Sequence, residues 1–367
     1  MHEHVAFLLA ALLNFIFGLF SRLSERLPIT APMFFAGVGI LVSPLGFGWF
    51  DVKVDADLIK VLAEITLMLV LFTDGSEINV RELVRQRTYV PLRLLAIGLP
   101  LTMLLGIGAG FLILDQLSLW QIALVALILS PTDAALGQAV VKIPLLPESL
   151  KRSISVESGI NDGIALPPVL VCMAALPVET AAHGQSDNWL HFLFVQLTLG
   201  PLVGAAVGWL GGRLVETAAS RDWMGPVFQR LSAMSLAVLA FAFAEMIHGN
   251  GFIAAFVAGL TLGVQTSEIR HRIQEFGEAE GQQLALFIFL ILGMVGVPMA
   301  YLLWDWAAFI YALLSLTIIR MLPVALSLMG SGLDLRTSLF IGWFGPRGYS
   351  IGVISAHGHR HFRRRRA

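Results

Sequence analysis

Apolar windows of roughly 17–25 residues, about the length that carries a helix across a hydrocarbon core, follow one another from end to end of this chain. They fall near 5–22, 29–48, 58–74, 90–114, 119–141, 150–176, 189–212, 229–247, 251–264, 284–302, 306–329 and 337–356, the ninth being short. Only 13% of the 367 residues are charged and 57% are hydrophobic, against about 25% charge in soluble domains. The windows predict an all-α integral membrane protein of twelve spans. The loops between them are too brief for a separate soluble domain.

Basic residues sort the loops into two sets. Fifteen lysines and arginines, from Arg22 and Arg26 to Arg336, fall in one set of alternate loops and the span ends beside them. The opposite set, the C-terminal tail aside, holds only Lys53 and Lys60, with Asp51, Asp55, Asp57, Asp115, Glu179, Asp187 and Asp305 instead. Lys and Arg collect on the cytoplasmic side of membrane proteins, so this asymmetry supports the span parity and predicts an outside N-terminus. Met1-His2-Glu3-His4 lacks the basic start of a cleaved leader, so the first helix is read as retained. A net charge of −1 with segregated charges gives no nucleic-acid signal, and the single cysteine, Cys172, excludes an internal disulfide.

Against this background, Leu127 to Pro168 stands out. It carries Ser130-Pro131-Thr132-Asp133 and then Glu157-Ser158-Gly159-Ile160-Asn161-Asp162. A charge at membrane depth costs about 2.5–3.5 kcal/mol on insertion scales, so such residues are read first as functional. The fifth window breaks at Ser130-Pro131-Thr132 and the twelfth at Gly345-Pro346-Arg347-Gly348. If the seventh span links two halves, each break falls in the fifth segment of its half, the pattern of an inverted-repeat transporter.

Asp133 has two readings. With Thr132 it can cap a helix start, and it can also offset the positive end of a half-helix, leaving a site open to cations. Asp162 lies mid-span, away from any loop, and Ser155, Ser158 and Asp162 share one helix face that offers oxygen ligands. Glu157 and Asn161 form a second pair one turn apart. A buried Glu157 needs a counter-charge, and the only basic residues deep in spans are Arg320 and Arg347. Glu157 is predicted to pair with Arg320, and Arg347 to sit by the second break, opposite Asp133. Asp74 and Glu77 close the third span. Interfacial exposure is the simpler reading for both, with Asp74 the better candidate for an ion entrance. Glu64 and Glu245 are read as solvated, and the nine histidines show no metal spacing.

The run Ala126–Val140, with Val156-Glu157-Ser158-Gly159-Ile160-Asn161-Asp162-Gly163, resembles the monovalent cation:proton antiporters, especially bacterial sodium/proton exchangers. Gly249–Gly259, Gly342–Gly348 and the setting of Arg320 are similar to further stretches of that family. The resemblance implies an inverted-repeat antiporter fold with two discontinuous crossing helices, a homodimer in the bacterial inner membrane serving pH homeostasis, and no enzyme activity. It implies exchange of Na⁺, or of K⁺ or Li⁺, for H⁺, with no cofactor and no metal beyond the transported cation. It makes Asp162 the cation- and proton-binding carboxylate, with Ser158 and the backbone around Thr132 and Asp133 beside it, and Pro131 at the break. Glu157 and Arg320 are similar to the family's buried ion pair. Asn161 ahead of the aspartate favours electroneutral exchange.

Family members of this branch have thirteen spans, whereas here the apolar pattern stops at Ala356 and a basic tail, 357–367, follows. That end reads as truncated, with a transmembrane domain over 1–356. The alternative function is therefore a non-transporting relic or partner subunit. An intramembrane aspartyl protease would also need two buried aspartates, but Ile160-Asn161-Asp162 lacks the Gly-x-Gly-Asp context of such enzymes.

Overall fold

Inside hydrocarbon no water satisfies the peptide groups, so a spanning segment bonds within itself, and every regular element among the described residues is helical. The computed structural model describes residues 2–24, 30–49, 56–78, 89–132, 148–176, 189–301 and 304–343. Five helical stretches are long and apolar enough to cross a membrane: Val90–Ile113, Phe194–Ser220, Pro226–Met246, Ser267–Ala300 and Trp306–Ser327. The chain divides into two units, one holding Met1–Thr66 and Gln282–Asp305, the other Leu67–Gly281 and Trp306–Ser350.

The first unit is built from α1 (His2–Ser24), α2 (Ala31–Val42), the start of α3 (Ala56–Glu77) and the end of α11 (Ser267–Ile291). A π-helical turn, Leu292–Gly296, follows α11 and leads into α12 (Val297–Ala300). Pro298 lies two residues past that turn; proline has no N–H and its ring crowds the carbonyl four residues back, which widens the preceding turn. Leu13, Phe35, Leu286 and Leu290 form the core, with the rings of Phe17, Phe34 and Phe35 within 5.5–5.9 Å of one another. Gly39 and Gly293 let α2 meet the π turn backbone to backbone: a Cβ on Gly39 would lie 2.3 Å from the Leu290 carbonyl oxygen.

In the second unit α8 (Trp189–Ser220), α9 (Pro226–Met246), α10 (Gly251–Leu260) and the end of α3 form a panel. Small residues of α9 at spacings of three and four, Ala233, Ala237, Ala240 and Ala244, pack with Ala254 and Ala258 of α10. On the other side of α10 the contact is closer still. A Cβ on Gly204 would lie 2.3 Å from the Ala254 carbonyl oxygen, and one on Gly208 2.2 Å from that of Ala258. Toward α3, a Cβ on Gly259 would stand 1.9 Å from the Phe72 carbonyl oxygen, and one on Gly75 2.3 Å from that of Phe256. Helices associate in lipid through such close packing, because apolar burial no longer distinguishes neighbour from solvent. α10 is thus fixed between α3 and α8 along its length.

The same unit contains α4 (Tyr89–Arg93), a π turn at Leu94–Gly98, and α5 (Leu99–Ile113); here too a proline, Pro100, stands two residues past the π turn. α6 (Leu119–Ile128) starts with a capping box in which Ser118 and Gln121 bond reciprocally. α7 runs Glu148–Ala175, α13 Trp306–Leu316, α14 Ile318–Ser327 and α15 Leu335–Trp343. Tyr311 of α13 donates its hydroxyl to the Gly106 carbonyl of α5 at 3.1 Å, and Arg93 donates to the Met329 carbonyl at 2.6 Å, covering the C-terminal end of α14. Asp334 precedes α15 and accepts the Thr337 hydroxyl, which holds its carboxyl below the usual range.

In the fifth window α6 ends at Ile128, just ahead of the break expected at Ser130-Pro131-Thr132. Two windows differ from their sequence reading. The eleventh is interrupted at Thr317, whose φ of −113° and ψ of −95° are not helical. The tenth begins at Ser267, well before residue 284, because polar and apolar residues share one long helix. The short ninth window is a short helix, Gly251–Leu260.

The backbone approach at Gly208 yields a prediction. Gly208→Val should lower stability by about 1–3 kcal/mol or more, the cost of overpacking, while Gly18→Ala, with nothing within 4 Å of the added carbon, should be neutral. Thermal unfolding of the detergent-solubilised protein measures both.

Candidate functional site

The site grows from one face of α7. Glu157 and Asn161 stand one turn apart and are 1% and 0% exposed. In a mean environment of lipid and packed side chains, an isolated carboxylate would be protonated or expelled. Glu157 is instead held by Arg320, whose Nη2 lies 2.7 Å from its Oε1. Arg320 is itself 2% exposed and sits in the first turn of α14, just after the interruption at Thr317. The Thr317 hydroxyl donates to the Leu313 carbonyl at 2.7 Å, closing the end of α13 and letting α14 start afresh with Arg320 facing α7. The pair predicted from the sequence is therefore present, and the broken eleventh helix supplies one half of it.

Asn161 makes the second link. Its Nδ2 donates to the Thr132 carbonyl at 3.1 Å and to the Thr132 hydroxyl oxygen. A carbonyl can only accept, so the amide nitrogen must face Thr132. Among the described residues Asn161 Oδ1 and Arg320 Nε have no hydrogen-bond partner. Thr132 lies beyond the end of α6, where Ser130 donates its hydroxyl to the Ala126 carbonyl at 2.6 Å. Ser130, Pro131 and Thr132 are all buried. Proline disfavours helical geometry in the residue before it, and side chains meet two carbonyls here: Ser130 that of Ala126 inside α6, and Asn161 that of Thr132 in the segment after it.

Helical geometry puts Ser158 four residues before Asp162 on a common face of α7, adjacent to the face of Glu157 and Asn161. The side-chain placements of Ser158 and Asp162 lie outside the described residues, as do Asp133 and the second break with Arg347. Asp74 is half-buried in the last turn of α3. Glu64 pairs with Lys60 at 3.4 Å. Glu245 accepts from the Gly251 N–H at 2.9 Å and so anchors the N-terminus of α10. The solvated reading of Glu245 missed that bond, because its acceptor role depends on a turn that brings Gly251 back toward α9.

Sequence reasoning also missed Arg270, which it counted only as an inside charge. Arg270 donates to the Ser76 carbonyl at 3.3 Å, to Leu262 at 3.0 Å and to Val264 at 2.8 Å. Gln274 donates to Ser76 at 2.8 Å. Together they cover the C-terminal end of α3 and the residues after α10. Among the described residues no group of three or more His, Cys, Asp or Glu side chains could hold a metal ion.

Long apolar helices around a buried ion pair, with the segment after one helix end tied across to a polar face, define an integral membrane protein. The chain belongs to the sodium/hydrogen exchanger transmembrane family, whose model matches residues 10–357. It is similar to the K⁺/H⁺ antiporter NhaP2 of Shewanella oneidensis, at 28% identity over 355 residues, covering 95% of this chain and 60% of that protein. It is also similar to the K⁺/H⁺ antiporter NhaP of Alkalimonas amylolytica, at 25% identity over 91% of this chain and 57% of that one. The Na⁺/H⁺ antiporter 2 of Zygosaccharomyces rouxii is 23% identical over 96% of this chain and 45% of its own length. The chain thus spans about 60% of the length of the bacterial relatives it matches. Its fold is that of the sodium proton antiporter MjNhaP1 from Methanocaldococcus jannaschii, with a TM-score of 0.76 at 19% identity over 100% of this chain and 88% of that one.

Breaking a buried ion pair from one side strands the other charge, so Glu157→Leu and Arg320→Met should each cost about 3–5 kcal/mol, whereas the apolar double variant recovers most of the loss. A double-mutant cycle on thermal unfolding checks this; additive losses would show the pair to be uncoupled.

Proposed function

We propose that the protein exchanges a monovalent cation for protons by alternating access, with Asp162 carrying either ion in turn. The observation that carries this reading is the link from Asn161 to Thr132. It ties the turn of α7 that includes Asp162 to the segment just after α6, which supports reading the two motifs as parts of one site. Ser158 and the backbone around Thr132 and Asp133 complete the oxygen environment, with Asp133 and Arg347 balancing the two breaks of an inverted repeat. Glu157 and Arg320 hold α7 to α14 and do not bind the transported ion. Asp74 lines the inner entrance.

One ionisable carboxylate, flanked by the neutral amide of Asn161, can take one proton or one monovalent cation. The two compete, and the cycle exchanges them one for one without net charge transfer. Na⁺ is the proposed substrate; the names of the Shewanella and Alkalimonas relatives make K⁺ the specific second reading. The working protein is a homodimer in a bacterial inner membrane with its N-terminus outside.

Competition sets the sign of the pH dependence. As pH falls, protons occupy Asp162 and the apparent KM for the cation rises; as pH rises, KM falls to a plateau. Exchange in proteoliposomes, read with an internal pH dye against Na⁺, K⁺ and Li⁺ gradients, should follow this course and be insensitive to an imposed voltage. Asp162→Asn should abolish it. Exchange at the parent rate by Asp162→Asn would remove the central assignment, and silence of the parent with every cation would favour a partner-subunit role.

A further inference from the structure

Directly after Asp162 comes Gly163, and the structure puts an aromatic ring against it. A Cβ on Gly163 would lie 2.4, 2.5 and 2.9 Å from Cζ, Cε1 and Cε2 of Phe256. Those three atoms are the leading edge of the ring, so Phe256 points tip-first at bare backbone and fills the place of the missing side chain. Phe256 is 9% exposed and packs in one cluster with Leu71 of α3, Leu166 of α7 and Ile253 of α10. The ring belongs to α10, and the carbonyl of Phe256 is the group that a side chain on Gly75 would strike. Its mount is therefore locked in the panel by glycine contacts on both sides.

The contact with α7 is of another kind. Among the described residues it consists of side chains against side chains and one ring against one glycine, and no hydrogen bond or ion pair joins α7 to α10. α7's polar ties run the other way, to Thr132 and Arg320. An apolar seam without directional bonds resists shear far less than a seam of hydrogen bonds or interlocked backbone. Whatever moves α7 relative to the panel has this seam as its easy plane, and Phe256 is the group that must pass over the glycine.

We propose that Phe256 is the gate of the carboxylate site: its ring, seated on Gly163, keeps water and hydrated cations from the turn that carries Asp162, and its passage across Gly163 times the exposure of that turn. The proposal rests on the antiport reading given above. Gly163 has no side chain because the ring needs the space, and Phe256 is neither smaller, which would leave a wet path along α7, nor longer, which would jam.

Two opposite substitutions at Phe256 test this in proteoliposomes, each checked for folding by thermal unfolding in detergent. Phe256→Leu withdraws the ring tip; proton leak without a counter-cation should rise about tenfold or more, and the pH midpoint of exchange should shift as water reaches the turn. Phe256→Tyr extends the ring into Gly163; exchange should slow by about fivefold or more, the rate equivalent of mild overpacking, with no added leak. Gly163→Ala should be slow in the parent and faster when combined with Phe256→Leu, a rescue that a purely structural contact would show in stability but not in leak or pH midpoint. Parent-like leak, rate and pH midpoint in both folded Phe256 variants would overturn the gate. Asp162→Asn is measured alongside: if it is dead while the Phe256 variants match the parent, only the gate fails, and if it exchanges normally, the antiport reading and the gate with it both fail.

Discussion

A carboxylate and a guanidinium deep among apolar helices tolerate no third state: paired they are neutral, and separated each is costly to keep charged. The Glu157–Arg320 contact therefore binds α7 to α14 more selectively than any number of leucine contacts could, since every register but one strands two charges. The neighbouring structure is arranged around that demand. α13 ends at Thr317, so that α14 can begin with Arg320 facing α7, and Asn161, one turn beyond Glu157, ties α7 to the end of α6. Polar bonds thus gather α6, α7 and α14 about one point.

The panel of α3, α8, α9 and α10 is held by a different force. Its contacts are between backbones at glycines and alanines, where dispersion and close approach act in place of the hydrophobic effect. Such contacts are many, short and intolerant of added atoms, and they make the panel stiff. Between it and α7 lies the apolar layer of Phe256, Leu166, Leu71 and Ile253. A closely packed panel and a polar-bonded group of helices, with no hydrogen bond or ion pair joining α7 to α10 among the described residues, is a physical basis for the relative motion that the proposed exchange requires.

Much of this was legible before any coordinates. The apolar windows anticipated the helices, and the buried-charge argument found Glu157 and its partner Arg320 across more than 160 residues of chain. It worked because mid-span basic residues are so few that choice of partner was nearly forced. What escaped had weaker local signals. The run Gly204-x-x-x-Gly208-x-x-x-Gly212 stands in the sequence, but that it faces the α10 backbone at Ala254 and Ala258 does not. Arg270 looked like any inside charge, though it covers carbonyls from two elements. Nothing in Leu313–Arg320 marks Thr317 as a helix end.

By itself, then, the sequence determined the solvent the chain must live in, the helical character of its spans and the identity of the charges that had to meet. Those follow from composition and spacing, because lipid penalises every unpaired polar group wherever it falls. The tertiary structure alone decided that a helix stops at Thr317, which glycines face which carbonyls, and that an aromatic ring from α10 rests on the residue after Asp162. These depend on the approach of segments almost a hundred residues apart, and contact at van der Waals range is a property of three-dimensional placement that no local pattern encodes.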